Sequence, residues 1–151
     1  MKVLIVYYTK YGNTEKVANL IAEGIISIEG NEVVVNNVKD VKLKKENSYD
    51  LLLIGSPAHF GKHVGSIKKF INKLPTSQLK VKAYAVFDTY IKTDFEMAVK
   101  KMEEQISEMM PALIKASPGL SIKVEGMKGP ITEEDLPKCK EFGIKLAQGA
   151  K

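Results

Sequence analysis

The stretch Lys2–Thr14 constrains the fold most. Lys2–Tyr8 (KVLIVYY) is a near-continuous apolar run of β-branched and aromatic residues. Such a run reads as a strand buried on both faces, as in a parallel sheet covered by helices on each side. Thr9-Lys10-Tyr11-Gly12-Asn13-Thr14 follows, a polar, hydroxyl-bearing loop with one glycine. Glu15 then opens a helical pattern that places Val17, Leu20, Ile21, Ile25 and Ile28 on one face, with Asn13 or Thr14 positioned to cap it. Strand, hydroxyl loop and helix in this order present backbone N–H groups to an anion at a helix N-terminus.

The rest of the chain repeats the alternation. Glu32–Val38 (EVVVNNV) reads as a second strand, less apolar and so nearer an edge; Asp50–Gly55 (DLLLIG) reads as a short central one. Ser56-Pro57-Ala58-His59-Phe60-Gly61 reads as a loop by its proline and glycine. Val64, Ile67, Phe70, Ile71 and Leu74 mark a helix that Pro75 closes. Val81–Phe87 (VKAYAVF) is a fourth strand ending at Asp88-Thr89-Tyr90, and Phe95, Ala98, Val99, Met102, Ile106 and Met109 trace a long helix before Pro111. Ala112–Ala116 and Leu120–Glu125 flank Ser117-Pro118-Gly119 and read as one interrupted fifth strand. After a turn at Gly126–Pro130, Thr132 and the acids Glu133, Glu134 and Asp135 look like the start of a last helix that buries Cys139, Phe142 and Leu146. Strands alternating with helices predict an α/β fold: one domain over residues 1–151, with an open parallel sheet covered on both faces.

Composition removes several function classes. All 23 basic residues are lysine and the net charge is +5. Without arginine there is no planar fork to read guanine or phosphate bidentately, so no nucleic-acid partner is expected. The lysines make a solvated surface or a docking face for an acidic partner. No apolar run approaches the length of a membrane span, and no secretory signal pattern is evident. The single cysteine cannot form an internal disulfide, which fits a cytoplasmic location. In helical phase with Phe142 and Leu146, Cys139 reads as a packed, inert thiol. His59 and His63 have a zinc-like spacing, but Pro57 and Gly61 break the helix that spacing requires and no third ligand is positioned, so no metal site is expected. Neither a P-loop nor a G-x-G-x-x-G fingerprint occurs. A phosphorylation receiver would need acids after the first strand and an acceptor aspartate after the third; those places hold Tyr8-Thr9 and Gly55-Ser56.

Three loops follow strand carboxyl ends, at Thr9–Thr14, Ser56–Gly61 and Asp88–Lys92, and in a doubly wound sheet they share one rim. Together they suit a phosphorylated planar ligand. The first offers hydroxyls and amides around Gly12, and the others offer flat groups at His59, Phe60 and Tyr90. YYTKYGNT at 7–14, GSPAHFGKHVGSIKKFI at 55–71 and FDTYIK at 87–92 resemble the three cofactor loops of flavodoxin-like proteins. VEGMKGPITEEDL at 124–136 resembles the tail of the short-chain flavodoxin subgroup. Flavodoxins are themselves among the examples behind the rule that ligands bind beyond the carboxyl ends of strands at a switch point, so this placement is inherited from the family.

The resemblance implies a doubly wound five-stranded parallel sheet, order 2-1-3-4-5, that binds FMN non-covalently. It implies electron-carrier function or, alternatively, an FMN-dependent reductase or oxidase acting on a quinone or similar planar acceptor. Carried over by position, Thr9, Lys10, Tyr11, Gly12, Asn13 and Thr14 match the phosphate loop. Ser56, Pro57, Ala58, His59, Phe60 and Gly61 match the loop beside the reactive side of the ring, and Asp88, Thr89 and Tyr90 match the loop on its other side. The short chain has no obvious insertion to form a lid, which favours the carrier. The expected partner is a redox protein with an acidic docking face, and the expected state is a monomer or weak homo-oligomer. Ser56–Ser66 holds no acid but carries Lys62 and two histidines, which predicts a less negative potential than an acidic rim would give.

Overall fold

Alternation within the apolar strands decides which helices cover which face. The computed structural model describes residues 1–149, as β1 (Lys2–Tyr7), α1 (Asn13–Ile26), β2 (Glu32–Asn37), β3 (Asn47–His59), β4 (Lys62–His63), α2 (Gly65–Lys73), β5 (Leu79–Tyr90), α3 (Met97–Met109), β6 (Ile114–Lys115), β7 (Leu120–Lys123) and α4 (Leu136–Gly149). Successive strand side chains point to opposite faces. Val3, Ile5, Leu51, Leu53, Ala85 and Phe87 therefore join α1 and α4 in one core, while Leu4, Val6, Leu52, Ile54, Tyr84 and Val86 join α2 and α3 in another. This two-sided burial is why the runs in β1 and β3 are continuous rather than alternating.

The sheet runs β2-β1-β3-β5-β6, with β7 also paired to β5. Every pairing along this order is parallel. β6 lies beside Ala83 and Tyr84, and β7 beside Phe87–Tyr90. Both occupy the edge of β5 that β3 leaves free, so the fifth position of the expected order is one strand interrupted at 116–119. β2 is the opposite edge, as its weaker apolar character predicts.

Helices α1 and α4 pack with their backbones almost touching. A Cβ on Gly143 would lie 2.1 Å from the Ile21 carbonyl oxygen, and one on Gly24 equally close to that of Lys140. Only glycine permits this approach.

Four local expectations are corrected. β3 and β5 extend past their predicted ends, so Ser56–His59 and Asp88–Tyr90 are strand rather than loop. Pairing supplies the reason: Ser56 and Pro57 sit opposite Asp88 and Thr89 in the same ladder. α4 begins at Leu136, beyond the acids expected to open it, because 133–135 form a turn in which Asp135 and Leu136 both donate to the Thr132 carbonyl. The α1 cap is Gly12, at φ 94°, not Asn13 or Thr14; both lie within the helix, and the Thr14 hydroxyl bonds Thr89. Phe95 precedes α3 and Met109 is its last residue, and both are exposed rather than part of its buried face.

Candidate functional site

Beyond the carboxyl ends of β1, β3, β5 and β7 lies a cleft of about 790 Å³. Thr9, Lys10, Tyr11, Asn13 and Thr14 line one end. Pro57, Ala58, His59 and Phe60 line another side, with Thr89 and Tyr90 on a third. These are eleven of the fifteen residues named from the sequence, brought together by the shared rim of a parallel sheet. A second hollow of about 730 Å³, between Val41–Lys45 and Lys73–Ser77, lies at the opposite rim and contains none of them.

The first loop is held from behind. Thr9 Oγ1 accepts from the Gly12 N–H at 2.8 Å, and Tyr7 donates its hydroxyl to Glu15 Oε2 at 2.9 Å. Burial, reinforced by the Glu15 carboxylate, pushes the Tyr7 hydroxyl up to about 12, so it stays a donor. Thr14 is buried and its hydroxyl meets that of Thr89 at 2.9 Å, joining the start of α1 to the end of β5. The first bond of α1 runs from Lys16 N–H to Gly12 C=O at 3.0 Å. Among the described residues the amides of Asn13, Thr14 and Glu15 have no acceptor, and no side chain caps the helix.

The second loop is a tight hairpin. Ala58 and His59 pair antiparallel with His63 and Lys62, leaving Phe60 and Gly61 as the turn. Both have positive φ, 51° and 73°, the signature of a type I′ turn. Phe60 is 98% exposed at its tip. Ser56 stands behind the hairpin rather than in the cleft: it is fully buried, and its Oγ accepts from the Val64 N–H at 3.0 Å. Gly61 is also buried, beside the Met97 thioether. His63 Nε2 bonds Gln105 Oε1 at 2.6 Å, and burial holds its pKa below the usual histidine value.

The third segment splits by strand alternation. Thr89 faces α1, whereas the Asp88 carboxylate turns away from the cleft into the α3 side of the sheet and is fully buried. Its Oδ2 accepts from the Val99 N–H at 2.9 Å and its Oδ1 from the Ser121 hydroxyl, which itself accepts from Glu96 N–H at 2.9 Å. Burial raises its pKa to about 6, against the lowering by these hydrogen bonds. Tyr90 stacks edge-on to Phe95 with ring centroids 5.6 Å apart. Burial, then the Asp135 and Asp88 charges, raise its pKa.

Ile91 and Lys92 of the third loop also line the cleft, as do residues missed from the sequence: Tyr8, Val64–Ser66, Thr93, Asp94, Val124, Gly126 and Met127. Ser66 Oγ is buried with no hydrogen-bond partner among the described residues. Met127 belongs to the loop after β7, a fourth carboxyl-end loop to which the same positional reasoning applies. Cys139 is buried in the α1–α4 core, and burial pushes its thiol up to about 12. Among the described residues no helix is long and apolar enough to cross a membrane.

A flavodoxin-domain family model matches residues 4–123. A flavodoxin of Aquifex aeolicus (strain VF5) is 39% identical over 71 residues, which span 47% of this chain but only 38% of that protein. Among solved structures, a flavodoxin from the domain Archaea superposes with a TM-score of 0.79 at 30% identity, covering 98% of this chain and 97% of its own. Oxidised flavodoxin 2 from Bacillus cereus superposes with a TM-score of 0.75 at 28% identity, covering 98% and 99%. With a family match across most of its length and the cleft at the expected rim, this chain belongs to the flavodoxin domain family.

Proposed function

We propose that this chain is an electron carrier that holds FMN, the cofactor of its family, in the cleft above the strand carboxyl ends. The observation that carries the reading is the free first turn of α1. Three successive amides, of Asn13, Thr14 and Glu15, lack an acceptor among the described residues, at a helix N-terminus flanked by Thr9 and Lys10. A phosphate dianion satisfies such donors and the positive end of the helix together. The partnerless Ser66 hydroxyl at the cleft wall fits the same reading, since a buried hydroxyl wants an acceptor.

In this arrangement Thr9–Thr14 hold the phosphate, and the β3–β4 hairpin and Thr89–Tyr90 border the ring. The bound flavin supplies one- and two-electron redox chemistry; the protein orients it and sets its electrostatic surroundings. Lys10 and Lys92 line the cleft, and together with Lys62 and Lys128 they make no salt bridge among the described residues. That basic rim fits a redox partner with an acidic docking face. Phe60 and Met127, 98% and 60% exposed, give the same rim apolar points of contact.

The test is the visible spectrum of the purified full chain, reloaded with FMN and reduced stepwise. The expected result is a flavin spectrum shifted from that of free FMN, with reduction resolved into one-electron steps. A chain that leaves the FMN spectrum and fluorescence unchanged refutes the reading. Steady-state turnover of NAD(P)H with a quinone would replace the carrier with a reductase.

A further inference from the structure

The loop after β7 is a closed hairpin reaching over the Thr9–Thr14 end of the cleft. Thr132 N–H donates to Lys123 C=O at 3.0 Å, Glu125 N–H to Pro130 C=O at 2.9 Å and Gly129 N–H to Gly126 C=O at 3.0 Å. Val124 pairs with Ile131, and both side chains are buried. The tip is therefore anchored by backbone bonds and by the core. It is seated directly on the first residue of α1: a Cβ on Gly129 would lie 2.6 Å from Asn13 Oδ1 and 3.1 Å from its Cγ. The φ of 98° at position 129 favours glycine. Gly126 and Met127 face the cleft from the same tip.

We propose that this hairpin is the chain's selectivity element between flavin mononucleotide and flavin dinucleotide. The inference rests on the FMN reading above. The two ligands share ring, sugar alcohol and first phosphate. The dinucleotide carries a second phosphate and an adenosine beyond it, and this continuation must leave the cleft beside the loop that holds the first phosphate. On the hairpin side, that route is filled by the Asn13–Gly129 contact and by Met127. A fixed wall discriminates by steric conflict with the larger ligand, without needing a tighter contact to the smaller one. The hairpin backbone that presents Met127 and meets the Asn13 side chain is held by its own hydrogen bonds, so the obstruction stands on a fixed base.

The test uses the full chain stripped of flavin, titrated separately with FMN and with FAD while flavin fluorescence is followed. Wild-type protein is expected to bind FMN more tightly. Replacing Gly126–Gly129 by Asn-Gly, a two-residue turn that closes hairpins well, is expected to lower the FAD-to-FMN ratio of dissociation constants about tenfold or more. Met127→Ala, which leaves the backbone intact, is expected to lower it by a smaller factor. A folded shortened chain with the wild-type ratio overturns the inference. If shortening prevents folding, an unchanged ratio in Met127→Ala overturns it instead. Equal wild-type affinity for both flavins defeats this inference alone, whereas a wild-type chain that binds neither defeats the FMN reading and this inference with it.

Discussion

Asp88 reaches from the sheet to the first turn of α3, its Oδ2 accepting from the Val99 N–H at 2.9 Å. The helix lacks a side-chain cap of its own, and Glu96 before it is held at φ 58°. A carboxylate from β5 and the Ser121 hydroxyl therefore do the work of a cap. A residue whose sequence position matches a ring loop thus serves α3 through its side chain.

That burial makes stability depend on pH. The Asp88 pKa rises from an ordinary 3.8 to about 6 in the folded chain. Between those values the native state holds a proton that the unfolded state has lost, so this contribution is full below about 4 and is lost as pH rises through about 6. Its size is on the order of 3 kcal/mol. Asp88→Asn keeps an acceptor for Val99 but cannot ionise. Urea titrations at pH 4 and pH 7.5 are expected to show the variant gaining on wild type as pH rises; parallel behaviour of the two proteins would exclude the assignment.

Thr14 and Thr89 share one hydrogen bond at 2.9 Å between the start of α1 and the end of β5. Thr14→Val keeps the shape and removes the hydroxyl. Expected losses are about 1 kcal/mol in stability and about tenfold in FMN affinity. Riboflavin, which has no phosphate, is expected to lose less, and isothermal titration with both ligands measures the difference.

Phe60 sits in a left-handed conformation at φ 51° while 98% exposed. A non-glycine residue there costs roughly 1–2 kcal/mol. Phe60→Asn creates Asn-Gly, the preferred type I′ pair, and is expected to stabilise the chain by about 1 kcal/mol. The urea midpoint reads this directly. If Phe60 contacts the redox partner, the same variant also slows electron transfer, so stability and rate move in opposite directions.

Lys62 pairs with His59 across the hairpin beside the cleft. His63, with its pKa held low, adds little positive charge near neutral pH, so Lys62 is the main cation of the hairpin. Lys62→Glu is expected to make the two-electron potential more negative by about 20 mV, corresponding to about 1 kcal/mol of interaction with the reduced ring. Spectroelectrochemistry at low and high salt checks both the direction and the screening; a positive shift would contradict the picture.

The layers and their order are legible in the local pattern of the chain. Continuous apolar runs in β1 and β3 require burial on both faces, and periodicity locates α1, α2 and α3 within a few residues, because both signals are local. It also located the three loops whose residues line most of the cleft, since loops after parallel strands must meet at one rim. Tertiary structure decided what each side chain does there. Ladder pairing with β5 drew Ser56 and Pro57 into a strand, and alternation sent Asp88 and Thr89 to opposite faces. Helix α3 then claimed the carboxylate and α1 the hydroxyl. The Gly129–Asn13 contact joins residues far apart in the chain. No local pattern encodes such a meeting; it exists only once the sheet has brought β7 and α1 to the same end of the molecule.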